Sequence, residues 1–154
     1  NSGEMAVNSW ADNDYYVDAN GIMVADKWMQ IVSPYSRDSQ TYWFYFGSSG
    51  KVTKDTWKKI DGKSYYFDAD GIMQTGWQNV NGNWYYLNSK GAMQTGWLLK
   101  EGKYYFLNTD GTMAYGWVNT QGNWYYFQKP DGDMLTNAYA PDGRYVNAEG
   151  VLIQ

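Results

Sequence analysis

Residues 75–97 read TGWQNVNGNWYYLNSKGAMQTGW, and this stretch decides the fold. Two β-prone segments flank Asn81-Gly82, a dipeptide that favours a type I′ hairpin because both central residues of that turn need a positive φ. A second turn follows at Ser89-Lys90-Gly91. The stretch ends on the Gly-Trp pair with which it begins, so the sequence predicts a hairpin followed by the start of a similar unit.

The unit recurs along the chain, which is the signature of a repeat architecture. In each copy a leading tryptophan is followed by a cluster of aromatic residues and then by Gly-x-Met. The clear copies stand 20 residues apart and are led by Trp57, Trp77, Trp97 and Trp117. Degraded copies are led by Trp10, by Trp28 with an insertion around residues 33–42, and by Tyr139.

These repeats predict an all-β solenoid of stacked β-hairpins. One hairpin is marginally stable in water, and stacking neighbours buries its aromatic face. We expect one repeat module over residues 1–154, in which residues 1–9 are the tail of a preceding repeat that lies outside this sequence. The expected units are 10–27, 28–56, 57–76, 77–96, 97–116 and 117–138, with a C-terminal cap at 139–154.

Composition excludes several classes of function. The net charge is −4, whereas nucleic acids and anionic membrane surfaces attract basic proteins. The sequence has no run of about 18 apolar residues, so we expect no direct membrane insertion. His and Cys are absent, which removes the usual triad, zinc and thiol chemistry. Acidic residues occur mainly in turns such as Asp61-Gly62, so we interpret them as turn formers and predict no catalytic residue, metal or cofactor.

The aromatic residues are the unusual feature, with 9 Trp, 16 Tyr and 5 Phe among 154 residues. Strand side chains alternate between faces, so Trp84 and Tyr86 share one face and Tyr85 takes the other. We therefore assign the middle aromatic of each clear cluster to the core. These core candidates are Tyr65, Tyr85, Tyr105 and Tyr125.

A simple interpretation is that all these rings pack in a core. A second interpretation is a set of aromatic cages, because the ring quadrupole of Trp and Tyr attracts quaternary ammonium groups. Thioethers make soft contacts that would suit the floor of such a cage. The candidates for the floor are Met73, Met113 and Met134.

The succession of Gly-Trp, Trp-Tyr-Tyr-Leu and Gly-x-Met-x-Thr-Gly-Trp resembles the choline-binding repeat of pneumococcal-type surface proteins and phage lysins. The resemblance implies a left-handed solenoid with choline sites between consecutive repeats. Each family site takes the leading Trp and the first cluster aromatic from one repeat, and the last cluster aromatic from the next. Carried over, the sites would be Trp28, Trp43 and Tyr66; Trp77, Trp84 and Phe106; Trp97, Tyr104 and Tyr126; and Trp117, Trp124 and Tyr145.

Two junctions depart from the family pattern. Ser64 and Asp14 stand where the first cluster aromatic is expected, so each of these junctions lacks one wall. A carboxylate such as that of Asp14 could still attract a cation. We therefore expect four choline sites.

The predicted function is non-catalytic anchoring to choline or phosphocholine of teichoic and lipoteichoic acids, in a secreted protein at a bacterial cell surface. The longer parent protein would be a cell-wall hydrolase or an adhesin. The alternative is a glucan-binding repeat, for which Asn83, Asn123 or Gln78 could supply hydrogen bonds beside a stacking ring. A purely structural spacer is a third interpretation. The sequence leaves open whether the array forms a homodimer and what the insertion around residues 33–42 does.

Overall fold

The structure is a computed structural model that describes residues 3–154. These residues form fifteen β-strands and no helix. The strands are β1 (Ser9–Ala11), β2 (Tyr15–Val17), β3 (Lys27–Val32), β4 (Thr41–Phe46), β5 (Thr56–Ile60), β6 (Lys63–Phe67), β7 (Gly76–Val80), β8 (Asn83–Leu87), β9 (Gly96–Lys100), β10 (Lys103–Leu107), β11 (Gly116–Thr120), β12 (Asn123–Phe127), β13 (Ala138–Tyr139), β14 (Tyr145–Val146) and β15 (Leu152–Ile153).

Consecutive strands pair as antiparallel hairpins. The pairs are β1 with β2, β3 with β4, β5 with β6, β7 with β8, β9 with β10, and β11 with β12, and the last sheet has the order β13-β14-β15. The predicted all-β architecture of successive hairpins is thereby confirmed.

The turn between β7 and β8 has the predicted two-residue form. Asn81 has φ 53° and Gly82 has φ 86°, the left-handed values that a type I′ turn requires. Counting outward from this turn, Val80 lies opposite Asn83. The corresponding residues of the other clear hairpins also have positive φ, at Asp61-Gly62, Glu101-Gly102 and Gln121-Gly122.

The second turn returns the chain to its own hairpin. Asp68 shapes one such turn, since its Oδ1 accepts hydrogen bonds from the backbone N–H of Asp70 and of Ile72, both at 2.9 Å. Met73 then forms an isolated bridge with Phe67 at the end of β6. The matching bridges are Val17 with Met23, Phe46 with Val52, Leu87 with Met93, Leu107 with Met113, and Phe127 with Met134. A repeat is therefore a hairpin followed by a single residue that forms a β-bridge with the second strand of that hairpin.

The residue that follows the aromatic cluster is fully buried in six of the described hairpins, as is Phe44 in β4, and this corrects one expectation. In β8, Leu87 shares its face with Tyr85, as alternation predicts, yet only Leu87 is fully buried. Tyr65, Tyr105 and Tyr125 are half-buried rather than core residues. The buried position two residues further along the same face is held by Phe46, Phe67, Leu87, Leu107, Phe127 and Val146.

Backbone contacts divide the described residues into two compact units. The first comprises residues 3–75 and 89–92, and it contains β1 to β6. The second comprises residues 76–88 and 93–154, and it contains β7 to β15. Residues 3–154 contain no helix that is long and apolar enough to cross a membrane.

Methionine side chains pack on the glycine of a later turn. A Cβ on Gly132 would lie 2.5 Å from Sδ of Met113, and Gly132 has φ +80°. The same contact joins Met73 to Gly91 and Met134 to Gly150. Each of these glycines is needed for two reasons, its positive φ and the close approach of the thioether.

We predict that Gly132→Ala lowers the free energy of unfolding by about 1–3 kcal/mol more than Gly122→Ala does, because the new methyl group overpacks the Met113 contact. Gly122 is a matched control, since it has φ +85° and open space around its Cβ position. Urea unfolding of the two variants measures the difference. Equal losses in both variants would show that φ alone makes these glycines necessary.

Candidate functional site

The first aromatic of each cluster is directed to solvent. Trp43 is 42% exposed, Trp84 39%, Tyr104 45% and Trp124 44%. Large apolar side chains that serve only packing are normally buried, and a repeated row of exposed rings indicates an interaction site. The interpretation that every ring of the array simply packs in a core is therefore wrong at this position.

The Trp77 pocket shows how these rings are arranged. Its walls are Trp77 of β7, Trp84 of β8 and Tyr105 of β10, and Met113 lies beside them. The centroids of the Trp77 and Tyr105 rings are 5.1 Å apart and their planes are inclined by 68°. The two rings therefore form the corner of a small box that opens to solvent.

The Trp28 pocket repeats this geometry in the first unit. Trp28 and Trp43 meet at 6.3 Å with an angle of 84° between their planes. Tyr65 meets Trp28 at 4.9 Å and 72°. Met73 is again part of the lining.

The Trp97 pocket is the third example within residues 3–154. Trp97 and Tyr104 are 6.1 Å apart with planes inclined by 89°. Tyr125 approaches Trp97 to 4.7 Å at 84°. Met134 completes the set.

A backbone hydrogen bond positions the methionine in each pocket. The N–H of Met73 donates to the carbonyl of Trp43 at 2.9 Å. In the other two pockets the bonds are Met113 to Trp84 at 2.7 Å and Met134 to Tyr104 at 2.8 Å. All three methionines that the sequence suggested as pocket floors are thus among the residues that line the pockets.

Charged residues of a later turn also line the pockets, and sequence reasoning missed them. Met73 packs on Gly91, and this contact brings Lys90 to the Trp28 pocket. By the same packing, Asp131 reaches the Trp77 pocket and Glu149 the Trp97 pocket. No local sequence signal identifies these residues, because the methionine contact that brings them there joins separate turns. The remaining lining residue of the Trp28 pocket is Ser89. Those of the Trp77 pocket are Lys103 and Pro130, and those of the Trp97 pocket are Gly102, Thr136 and Ala148.

The third aromatic of the cluster does not take its predicted place. Phe106 was expected beside Trp77 and Trp84, but it lies opposite Trp97 in its own hairpin, with ring centroids 5.5 Å apart. The residue that reaches the Trp77 pocket is its neighbour Tyr105, which points from the other face of β10.

The same correction applies to the Trp28 and Trp97 pockets. Tyr66 pairs with Trp57 at 5.2 Å, and Tyr126 pairs with Trp117 at 5.2 Å. Tyr65 and Tyr125 take the predicted positions of Tyr66 and Tyr126. The two-residue turn could have revealed this, because it places the third aromatic directly opposite the leading Trp of the same hairpin.

In the predicted set of Trp117, Trp124 and Tyr145, the structure pairs Tyr145 with a residue of its own hairpin. Tyr145 lies opposite Tyr139 with ring centroids 4.9 Å apart. The guanidinium carbon of Arg144 instead lies 4.3 Å from the centroid of the Trp117 ring.

Trp10 and Asp14 each contact residues outside their own hairpin. The indole N–H of Trp10 donates to the carbonyl of Val32 at 2.8 Å, at the start of the insertion. Lys54 forms a 2.7 Å ion pair with Asp14, and its Nζ also donates to the hydroxyl of Tyr35 at 2.8 Å. The insertion therefore supplies Tyr35 as a partner for this cation.

Protonation states follow from these contacts. The hydrogen bond from Lys54, followed by the charges of Lys54 and Lys51, outweighs burial and holds the pKa of Asp14 below its usual value. Burial would lower the pKa of Lys54, but hydrogen bonds to Asp14 and Tyr35 raise it above its usual value. Both groups are therefore charged at neutral pH, and Asp14 attracts a cation that belongs to the protein.

Successive hairpins with box-like aromatic pockets define a repeat module. The sequence pattern of the choline-binding repeat matches residues 4–32, 52–79, 74–110 and 101–139. The chain belongs to the choline-binding repeat family.

Solved structures of the family are similar to this chain. Choline binding protein F from Streptococcus pneumoniae is 41% identical, with a TM-score of 0.77 over 91% of this chain and 44% of its own. The modular autolysin LytC from Streptococcus pneumoniae is 32% identical, with a TM-score of 0.75 over 96% of this chain and 32% of its own. A multimodular pneumococcal cell wall endolysin from phage Cp-1, complexed with choline, is 33% identical, with a TM-score of 0.57 over 84% and 37%. This chain thus spans less than half the length of these relatives. Curated protein sequences give no match.

We predict that Tyr105→Ala weakens choline binding at the Trp77 pocket roughly 2- to 30-fold, because it removes one ring of the cation contact. Phe106→Ala is the matched control, and it should leave the Trp77 response unchanged while lowering stability through its contact with Trp97. The indole N–H signal of Trp77, followed by NMR during a choline titration, measures both effects. A weaker Trp77 response in Phe106→Ala than in Tyr105→Ala would restore the assignment made from the sequence.

Proposed function

We propose that residues 1–154 form a non-catalytic module that anchors its parent protein to choline or phosphocholine of teichoic and lipoteichoic acids on a bacterial cell surface. The observation that carries this proposal is the repeated pocket in which two rings of one hairpin and a tyrosine of the next surround a small volume above a methionine. Anchoring at the cell surface implies that the parent protein is secreted.

The chemistry of these pockets suits a quaternary ammonium group. A trimethylammonium group carries a positive charge but has no N–H to donate, so a carboxylate cannot hydrogen-bond to it. Ring faces attract it through their quadrupole, at about 0.5–2 kcal/mol for each ring. The polarizable thioether of the floor adds contact with the methyl groups.

The proposed choline sites are the three pockets, with the middle tyrosine as the third wall. Their residues are Trp28, Trp43, Tyr65 and Met73; Trp77, Trp84, Tyr105 and Met113; and Trp97, Tyr104, Tyr125 and Met134. Phe106 acts indirectly in this proposal, because it supports Trp97 across its own hairpin. Tyr66 and Tyr126 face Trp57 and Trp117, which belong to none of the three sites.

Weak single sites are sufficient for anchoring. A millimolar dissociation constant corresponds to about −4 kcal/mol, which is within reach of a cage of two or three rings. Several sites that engage one polymer raise retention by roughly 10²–10⁴ through effective concentration. The module would therefore remain on a surface that carries many choline groups and be released by free choline.

The glucan-binding alternative has less support from the geometry. A sugar site needs hydrogen-bonding side chains beside the ring platform. The candidates Asn83, Asn123 and Gln78 are not among the residues that line the three pockets, although other polar side chains, such as Ser89, Asp131 and Thr136, do line them. Ring corners inclined by about 70–90° also enclose a compact group better than the flat face of a sugar ring.

The parent protein is proposed to carry its activity elsewhere. The three relatives described above are longer than this chain, and they include an autolysin and an endolysin. We accordingly assign anchoring to these repeats and assign a hydrolase or adhesin function to another part of the parent protein.

We predict that choline changes the Trp fluorescence and raises the melting temperature, because it binds the stacked hairpins and not the unfolded chain. The measurement is a titration to tens of millimolar choline at constant ionic strength. Its control is 3,3-dimethyl-1-butanol, which has the same shape without the charge and should give a response at least several-fold weaker. A response to dextran with none to choline would establish the glucan alternative, and equal responses to choline and the neutral alcohol would remove the cation–π mechanism.

A further inference from the structure

Arg144 occupies, in the last hairpin, the position that a tyrosine occupies in earlier ones. In β12, Tyr125 precedes the residue opposite the leading tryptophan, and it forms a wall of the Trp97 pocket. In the last sheet, Tyr145 lies opposite the leading Tyr139. The residue that precedes Tyr145 is Arg144, so a guanidinium replaces the expected phenol ring.

The guanidinium lies where that ring would lie. The Arg144 Cζ atom is 4.3 Å from the Trp117 ring centroid, and the Tyr125 ring is 4.7 Å from Trp97. A guanidinium is also a cation, and the face of an indole is the surface that attracts cations most strongly among side chains. Arg144 therefore replaces the wall of the pocket and at the same time supplies its positive charge.

Asp142 holds this arrangement in place. Its Oδ2 atom accepts hydrogen bonds from Nε and Nη2 of Arg144 at 2.9 and 2.6 Å, and from the indole N–H of Trp117 at 2.8 Å. Its Oδ1 accepts from the backbone N–H of Arg144 at 3.1 Å. The hydrogen bonds from Arg144, with that from Trp117, outweigh burial and lower the pKa of Asp142 to about 2. The carboxylate is therefore charged at neutral pH and orients both the guanidinium and the indole.

Two features of this junction match the three pockets. Trp124 is 44% exposed, close to the values for Trp43 and Trp84, which are the corresponding walls of the Trp28 and Trp77 pockets. Trp117 has its cross-strand partner Tyr126, as the leading tryptophans of those pockets do. Two features differ: Arg144 lies on the face of Trp117 where the other pockets have a tyrosine, and no methionine follows Met134 in the sequence.

We propose that the junction of Trp117 and Trp124 is a choline-type cation site that the protein fills with its own Arg144, which excludes choline from it. The proposal rests on the proposed function, since it takes the other pockets to be choline sites. It assigns Arg144 a role in specificity and in stability. The last hairpin obtains from Arg144 the cation–π contact that the other pockets obtain from a ligand, so its docking does not depend on choline.

The test follows the indole N–H signals of the wild-type chain by NMR during a choline titration. The signals of Trp77 and Trp97 are expected to shift, and the signal of Trp117 is expected to stay in place. Arg144→Gln removes the cation and should make the Trp117 signal respond to choline. Arg144→Tyr restores the ring found in the other pockets and should strengthen that response roughly 2- to 30-fold over Arg144→Gln.

Lys63→Gln is the charge control, because it removes one positive charge from the exposed first residue of β6 and should leave the Trp117 signal unchanged. Circular dichroism of each variant verifies that it is folded. A wild-type Trp117 signal that shifts together with those of Trp77 and Trp97 would overturn the proposal, since choline would then displace Arg144. A Trp117 signal that does not shift with choline in either folded Arg144 variant would overturn the proposal as well. If Trp77 and Trp97 are also silent in the wild type, the proposed function fails and this inference fails with it, which is a different pattern from the first two.

Discussion

The edge-to-face contact between a tryptophan of one hairpin and a tyrosine of the next is the interaction on which the described pockets depend. Its ring centroids are 4.9 Å apart for Trp28 and Tyr65, and 5.1 Å for Trp77 and Tyr105. Such pairs add about 0.5–1.5 kcal/mol beyond the area that they bury. A single hairpin is marginal in water, so this contact joins neighbours and in the same step forms two walls of a pocket. Stability and binding are thereby linked in the same side chains.

Positive charge has two sources in this design. The three pockets leave a ring face open to solvent, where a ligand cation can lie. At two other junctions the protein provides the cation itself, with Lys54 held by Asp14 and Arg144 held by Asp142. In both cases a carboxylate of low pKa fixes a basic side chain near an aromatic ring. A residue that departs from the repeat pattern, such as Asp14 or Arg144, can therefore be part of an ion pair near an aromatic ring.

Much of the fold and half of each site were predictable. The Asn-Gly turn sets the register, and the register sets which residues face each other across a hairpin. That was enough to place Trp77 and Trp84 on one face, and Met113, which the sequence suggested as a floor, lies in the lining of the same pocket. The third ring of each set was assigned by applying alternation to one hairpin alone. Tyr105 reaches its pocket from the opposite face of β10, and that fact concerns how one hairpin lies against another.

The sequence by itself determined the repeat, the two-residue turns, the family and the ring-bearing positions, because each depends on local backbone preference or on spacing along the chain. Only the tertiary structure decided which ring of a cluster enters a pocket and which packs. It also decided that Arg144 covers Trp117, and that Lys90 and Asp131 line pockets formed by distant tryptophans. The physical reason is the same for all of these. They depend on contacts between side chains of different hairpins, whose distances are not fixed by any local sequence pattern.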